Sequence, residues 1–219
     1  MPTSLLLALL LLAAPGLVAA QTGAKSRFVI RRGADTVATE ELDRTDTELH
    51  GTLAIRGVKG SESYRAVVAP DATIALIEVT VREGADTGGV KAHVAQTTRI
   101  IFRNDSVAVD DVTGHGLDTR ILPTQQGAVP YLNLSFGLLE QAIRRAAVLG
   151  KDSARVAFFN LSGSRSQGGG ATVVGTVTRV AADSVTLDLG SVEFRLQIDP
   201  QGRLISGGIP AQRLSIERQ

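Results

Sequence analysis

One stretch of this chain has the period of a helix, and nearly everything else alternates. From Ser135 to Gly150 it reads Ser-Phe-Gly-Leu-Leu-Glu-Gln-Ala-Ile-Arg-Arg-Ala-Ala-Val-Leu-Gly. At about 100° per residue, Phe136, Leu138, Leu139, Ala142, Ile143, Ala146 and Leu149 share one face, and Glu140, Gln141, Arg144 and Arg145 share the other. Ser135 is the expected N-cap, because its hydroxyl can accept from a first-turn N–H. Arg144 and Arg145 suit the negative end of the macrodipole, and Gly150 can take the left-handed turn that ends a helix. A lone amphipathic helix cannot bury its apolar stripe by itself. Its partner has to be the concave face of a sheet.

The remaining segments supply that sheet. Phe28 and Ile30 alternate with Val29 and Arg31 before a turn at 33–35. Residues 37–46 set Ala38, Glu40 and Leu42 against Thr39, Glu41 and Asp43, a polar pattern that predicts an exposed or edge strand. Leu49, Gly51, Leu53 and Ile55 share a face, as do Tyr64, Ala66 and Val68, and then Ala75, Ile77, Val79 and Val81. A long strand is expected over 90–103 and a shorter one from Val107. Residues 113–130 read as a loop leading to the helix. Further strands follow at 154–161, 173–180, 185–189, 192–199, 204–206 and 214–217.

Phe28–Val37, Ile101–Val109 and Val177–Leu187 all read strand, short turn ending Asp-Ser/Thr-Val, strand. That is hairpin chemistry, and it predicts an antiparallel meander. About ten strands in one sheet must curl or close. The predicted fold is mainly β, a large antiparallel meander curled into a half-barrel or barrel, with the helix on its concave side.

The N-terminus constrains location. An apolar run from Leu5 to Ala14 is followed by Val18-Ala19-Ala20, small residues at the −3 and −1 positions of a signal-peptidase site. Residues 1–20 are read as a secretory signal, and 21–219 as a single domain. The run is broken at Pro15-Gly16 and falls short of the ~20 residues a membrane span needs. The chain has no cysteine, so disulfides and thiol catalysis are excluded. Net charge is +1, with both signs mixed throughout. No nucleic-acid partner is expected. Arg outnumbers Lys, and Ala, Gly and Val abound, a composition that fits a bacterial periplasmic or secreted product.

Enzyme signatures are missing, and no cofactor is implied. Gly168-Gly169-Gly170 is not followed by Lys-Ser/Thr, and Leu161-Ser162-Gly163-Ser164 is no nucleophile elbow. The densest polar constellation is Asp110-Asp111-Val-Thr113-Gly-His115-Gly-Leu-Asp118-Thr-Arg120. Its spacing matches neither the zinc nor the calcium patterns. A metal-dependent enzyme centred on this 110–120 loop is the third reading, and the protein is otherwise read as a non-enzyme. What remains is apolar volume. Aromatics make up 4% of the chain, so small aliphatic side chains must line the concave face and can leave a cavity.

The order of signal, meander, one amphipathic helix and more meander resembles the periplasmic half-barrel proteins typified by the LolA/LolB lipoprotein carriers. Leu138-Leu139-Glu140-Gln141-Ala142 with Arg144-Arg145-Ala146 is similar to a helix in related exported domains of unknown function. Asp199-Pro200-Gln201-Gly202-Arg203-Leu204, followed by Pro210 and Leu214-Ser-Ile-Glu217-Arg218, resembles their closing hairpin. The resemblance implies a soluble carrier, since the lipid-bearing N-terminal cysteine of the anchored members is missing. The leading expectation is therefore an exported protein that holds a lipid or other apolar ligand between helix and sheet. Phe136, Leu139, Ile143 and Ala146 would line it from the helix, and Leu53, Ile77 and Phe158 from strands. The second reading is an envelope module with a filled core, whose strand edges serve a protein partner.

Overall fold

The computed structural model describes residues 24–84, 92–150, 152–164 and 172–219. The expected signal at 1–20, the Gly/Asp segment after Gly84 and most of the Gly/Ser-rich stretch after Ser164 lie outside them. The strands are β1 (Ala24–Arg32), β2 (Asp35–Arg44), β3 (Glu48–Ile55), β4 (Gly60–Val68), β5 (Ile74–Glu83), β6 (His93–Phe102), β7 (Ser106–Thr113), β8 (Gly116–Pro123) and β9 (Val129–Tyr131). Helix α1 (Phe136–Val148) comes next. Then follow β10 (Ser153–Asn160), a one-turn helix α2 (Leu161–Ser164), β11 (Thr172–Ala181), β12 (Ser184–Asp188), β13 (Glu193–Ile198), β14 (Leu204–Ile209) and β15 (Leu214–Arg218). All three sequence hairpins form, as β1–β2, β6–β7 and β11–β12.

All fifteen strands belong to one sheet, ordered β8-β7-β6-β5-β4-β3-β2-β1-β15-β14-β13-β12-β11-β10-β9. The chain starts at the middle, meanders to one edge, crosses to the other edge and meanders back. Every pairing is antiparallel except β9 with β10. The crossing dictates the shape. Residues 124–128 alone join β8, at one edge, to β9, at the other. Phe102 of β6 and Phe159 of β10 make the same point. They lie eleven places apart in the strand order. In a flat sheet at ~4.8 Å per strand that is about 53 Å, yet their rings meet edge to face at 6.0 Å. The sheet therefore curls through nearly a full turn, bringing β9 and β10 against β5 and β6, and among the described residues its two edge strands do not pair.

The inner face carries one connected core that includes Phe28, Ile30, Leu49, Leu53, Ile77, Ile100, Val109, Phe158 and Leu196. Helix α1 lies within the curl against β2, β9 and β10. Ser135 caps it, its hydroxyl accepting from the Leu138 N–H at 3.4 Å. Gly150 turns away at φ +68°.

Four expectations are corrected. Strand β2 is no edge strand: it lies between β1 and β3, and Ala38, Glu40 and Leu42 are buried. Residues 113–130 are not a loop, because 116–123 form β8. Its side chains are mostly exposed on both faces, so nothing there requires inside–outside alternation. On β5, Ile77 and Val79 are buried as expected, but Ile74 is buried and Ala75 exposed. The ladder shifts at Val67/Val68, so Val68 faces Ile74, and a one-residue slip flips every side chain beyond it. Finally, α1 has no solvent face along its first two turns. Glu140 and Gln141, assigned to the outer face, are 0% exposed.

Candidate ligand-binding site

The buried polar side of α1 is matched from the sheet. Glu40 on β2 is 0% exposed and receives four donors. The Tyr64 and Ser135 hydroxyls donate to Oε1 at 2.7 Å each. The Phe136 and Gly137 amides donate to Oε2 at 2.6 and 3.0 Å. A carboxylate from a strand thus satisfies the orphan N–H groups of the first helical turn and faces its positive dipole end. Burial pushes the Glu40 carboxyl above its ordinary 4.5, and its hydrogen bonds pull the other way. Burial first, and then Glu40 beside it, raises the Tyr64 phenol well above its usual value.

Glycine permits this approach. A Cβ on Gly137 would meet Leu42 Cδ1 at 2.3 Å and the Tyr64 hydroxyl at 2.4 Å. A Cβ on Gly51 would meet the Tyr64 ring at 2.2 Å.

One turn further on, the helix offers a carboxylate to the sheet. Glu140 pairs with Arg218 of β15, with Arg44 of β2 at 3.1 Å, and with Arg144 at 3.6 Å. It also accepts from the Leu204 amide at 2.9 Å. Arg218 stacks over the Phe28 ring at 4.7 Å. Gln141 accepts from Arg44 at 2.7 Å and donates to the Ala72 carbonyl at 2.8 Å. Burial lowers the Arg44 pKa, with Glu140 opposing the shift.

Beyond these pairs the helix meets the rim of the curl, and a hollow of about 470 Å³ opens there. Ile143, Ala147 and Val148 form its helical wall. Val68, Ala69 and Pro70, together with the 200–202 turn, form the rim. Arg44, Arg144 and Arg179 border it against one lining carboxylate, Asp46. The site is an apolar trough with a cationic margin.

The residues expected to line a ligand are all in the core. Phe136, Leu139, Ile143, Ala146, Leu53, Ile77 and Phe158 are 2%, 2%, 3%, 5%, 1%, 0% and 2% exposed. Phe136 lies 6.2 Å from the Phe28 ring and Phe158 lies 6.4 Å from Tyr131. Of the seven, Ile143 borders the rim hollow, and Leu53 borders another at the opposite end of the curl.

The 110–120 segment is the β7–β8 hairpin. Asp111 accepts from Thr98 at 2.5 Å and Gln96 at 2.9 Å, and it pairs with Arg120. Asp118 pairs with Arg120 at 3.0 Å, and Thr119 donates to Asp110 at 2.8 Å. Among the described residues, no three His, Cys, Asp or Glu groups gather as a metal site.

The sequence reading missed Glu40 and Glu140 as interior anchors. Glu40 left a signal, a carboxylate in phase with Ala38 and Leu42. Glu140 left none, since it lies among polar residues on its helix.

Searches against family models and curated proteins give no match. A solved structure does match: a DUF1089 family protein from Pseudomonas aeruginosa. The likeness covers 78% of this chain and 89% of that one, with a TM-score of 0.56 and 18% identity. At that identity it is a likeness of fold. The matched structure is described as a DUF1089 family protein and not as a LolA or LolB carrier.

Proposed function

We propose that the protein binds a lipid or similar amphipathic ligand between α1 and the rim of the curled sheet. The apolar chain lies along Ile143, Ala147 and Val148. An anionic end faces Arg144 and Arg179. The observation that carries this reading is the rim hollow, where an apolar helical wall opens beside guanidinium groups. An apolar trough with a few placed polar groups is the usual form of a small-molecule site. The reading takes residues 1–20 as an export signal, so the ligand is met in the periplasm or outside the cell. The order of sequence elements that resembles LolA/LolB carriers motivates a carrier of this kind, and the reading takes the protein as a binder and not as an enzyme.

The test is native mass spectrometry of protein from its own host, followed by titration with a long-chain fatty acid and the alcohol of equal chain length. The expected result is a retained amphiphile, with the acid bound more tightly than the alcohol. Arg179→Glu and Val148→Glu, both at exposed positions, should each weaken the acid about tenfold, on the order of 1.4 kcal/mol. An empty protein that ignores both probes refutes the reading.

A further inference from the structure

We propose that the β8 edge is the contact through which two copies of this chain pair, antiparallel, about Thr119. Strand β8 ends the sheet and, among the described residues, ladders only with β7. Its outer face carries Leu117 and Ile121, which are 67% and 69% exposed. The Thr124 amide donates to the Asp105 carbonyl at 2.9 Å. Antiparallel partners alternate between bonded and non-bonded pairs. Counting back from Thr124, even-numbered residues turn their backbone groups to β7. Leu117, Thr119 and Ile121 therefore aim theirs at the free edge.

A second copy is the occupant that fits, because the edge is complementary to itself. A two-fold axis at Thr119 sets Thr119 opposite Thr119, Leu117 opposite the copy's Ile121, and Asp118 opposite the copy's Arg120. The free backbone groups then fall in the bonded pairs, each exchanging two hydrogen bonds. The apolar side chains meet on one face and opposite charges meet on the other. Asp118 and Arg120 already pair at 3.0 Å within the chain, so the copies bring together an alternating square of four charges. Pro123, which has no N–H, stops the bonding edge at one end, and the turn before Gly116 stops it at the other. The opposite edge, β9, is three residues long and contains Pro130. An isologous contact between like edges closes as a pair and does not run on as a fibre.

Sedimentation velocity on the full chain tests this. The expected result is a concentration-dependent dimer. Thr119→Pro removes an N–H that faces away from β7, a change an edge strand tolerates. Asp118→Arg puts like charges opposite each other twice per dimer. Each should weaken association at least about tenfold while keeping the wild-type circular dichroism. Mixing Asp118→Arg with Arg120→Asp makes every facing pair opposite again, and should restore a heterodimer. Should Arg120→Asp fail to fold once Asp111 loses its partner, the other two variants still decide. A wild-type protein that stays monomeric up to ~1 mM, or a dimer that both variants leave unchanged, overturns the proposal.

Discussion

Removing the Glu40 carboxylate should cost more than removing any of the exposed ion pairs, and its cost can be worked from the contacts. Glu40→Ala leaves the Phe136 and Gly137 amides facing a gap, and strands the Tyr64 and Ser135 hydroxyls. An unsatisfied buried donor costs about 1–3 kcal/mol. Relief of the carboxylate's own desolvation offsets part of that sum, and both hydroxyls can rotate. A net loss of about 3–5 kcal/mol is expected. At ~2–4 °C per kcal/mol for a chain of this size, the midpoint falls by roughly 6–20 °C. Glu40→Gln keeps an oxygen for the two amides and offers its NH2 to hydroxyls that can turn to accept, so it should cost about 1–2 kcal/mol. The two forms also part with pH. Burial holds the Glu40 carboxyl above 4.5 in the folded state. Its contribution is then fully present below that value and is lost as pH rises through the folded pKa. Urea titrations from pH 4 to 8 should show wild type losing ground to Glu40→Gln over that interval. Parallel pH curves, or an alanine cost under ~1 kcal/mol, would refute the assignment of Glu40 as a buried helix anchor whose carboxyl titrates above its ordinary value.

Other substitutions separate interior from rim. Gly137→Ala places a Cβ 2.3 Å from Leu42 Cδ1. It should destabilise by about 2–3 kcal/mol in thermal unfolding, despite the ~1 kcal/mol helix preference for alanine. Glu140→Ala strands Arg44 and Arg218 and should cost about 3–5 kcal/mol, whereas Glu140→Leu combined with Arg44→Leu and Arg218→Leu, which removes all three charges, should recover much of that loss by the same assay. Arg56→Ala breaks a 3.0 Å pair with Asp35 in which both side chains are more than two-thirds exposed, and the melting midpoint should not move.

Much of the architecture was legible in the sequence because its cues are local. Alternation at Leu49–Ile55 and Tyr64–Val68, and the helical period at 136–148, each reflect a face that has to be buried. The errors come from pairings between distant residues. Strand β2 looks exposed because Glu40 and Glu41 are adjacent, and only the incoming helix end gives Glu40 an interior partner. Strand β8 was unreadable as a strand because an edge exposed on both faces needs no pattern. The bulge beside Ile74 depends on its neighbour's register, which is not encoded in β5 alone. Phe136, Leu139, Ile143 and Ala146 could be placed in the core from their spacing. The rim hollow could not, since it joins side chains from five separate segments, around residues 44–46, 68–72, 141–148, 179 and 200–202.

The two buried carboxylates explain why a helix with so much polar surface sits inside the curl. Glu40 reaches from sheet to helix at the first turn, and Glu140 reaches from helix to sheet one turn later. Each needs partners fixed on the other element. Sliding α1 by one residue would turn Glu140 away from Arg44 and Arg218 and leave three buried charges unmatched, a far larger penalty than repacking Leu139 or Ile143 against neighbouring aliphatic groups. Apolar packing therefore draws the helix into the trough, and the ionic pairs fix its position there. Both anchors act on the N-terminal two turns. The C-terminal turns, where Ala147 and Val148 are exposed, are held from their margin, by Arg145 donating to the Asp71 carbonyl at 2.9 Å and to its carboxylate at 3.2 Å. They border the rim hollow together with Gln141 and Ile143, so the ligand proposed there would meet exposed side chains before it met the pairs that hold the fold.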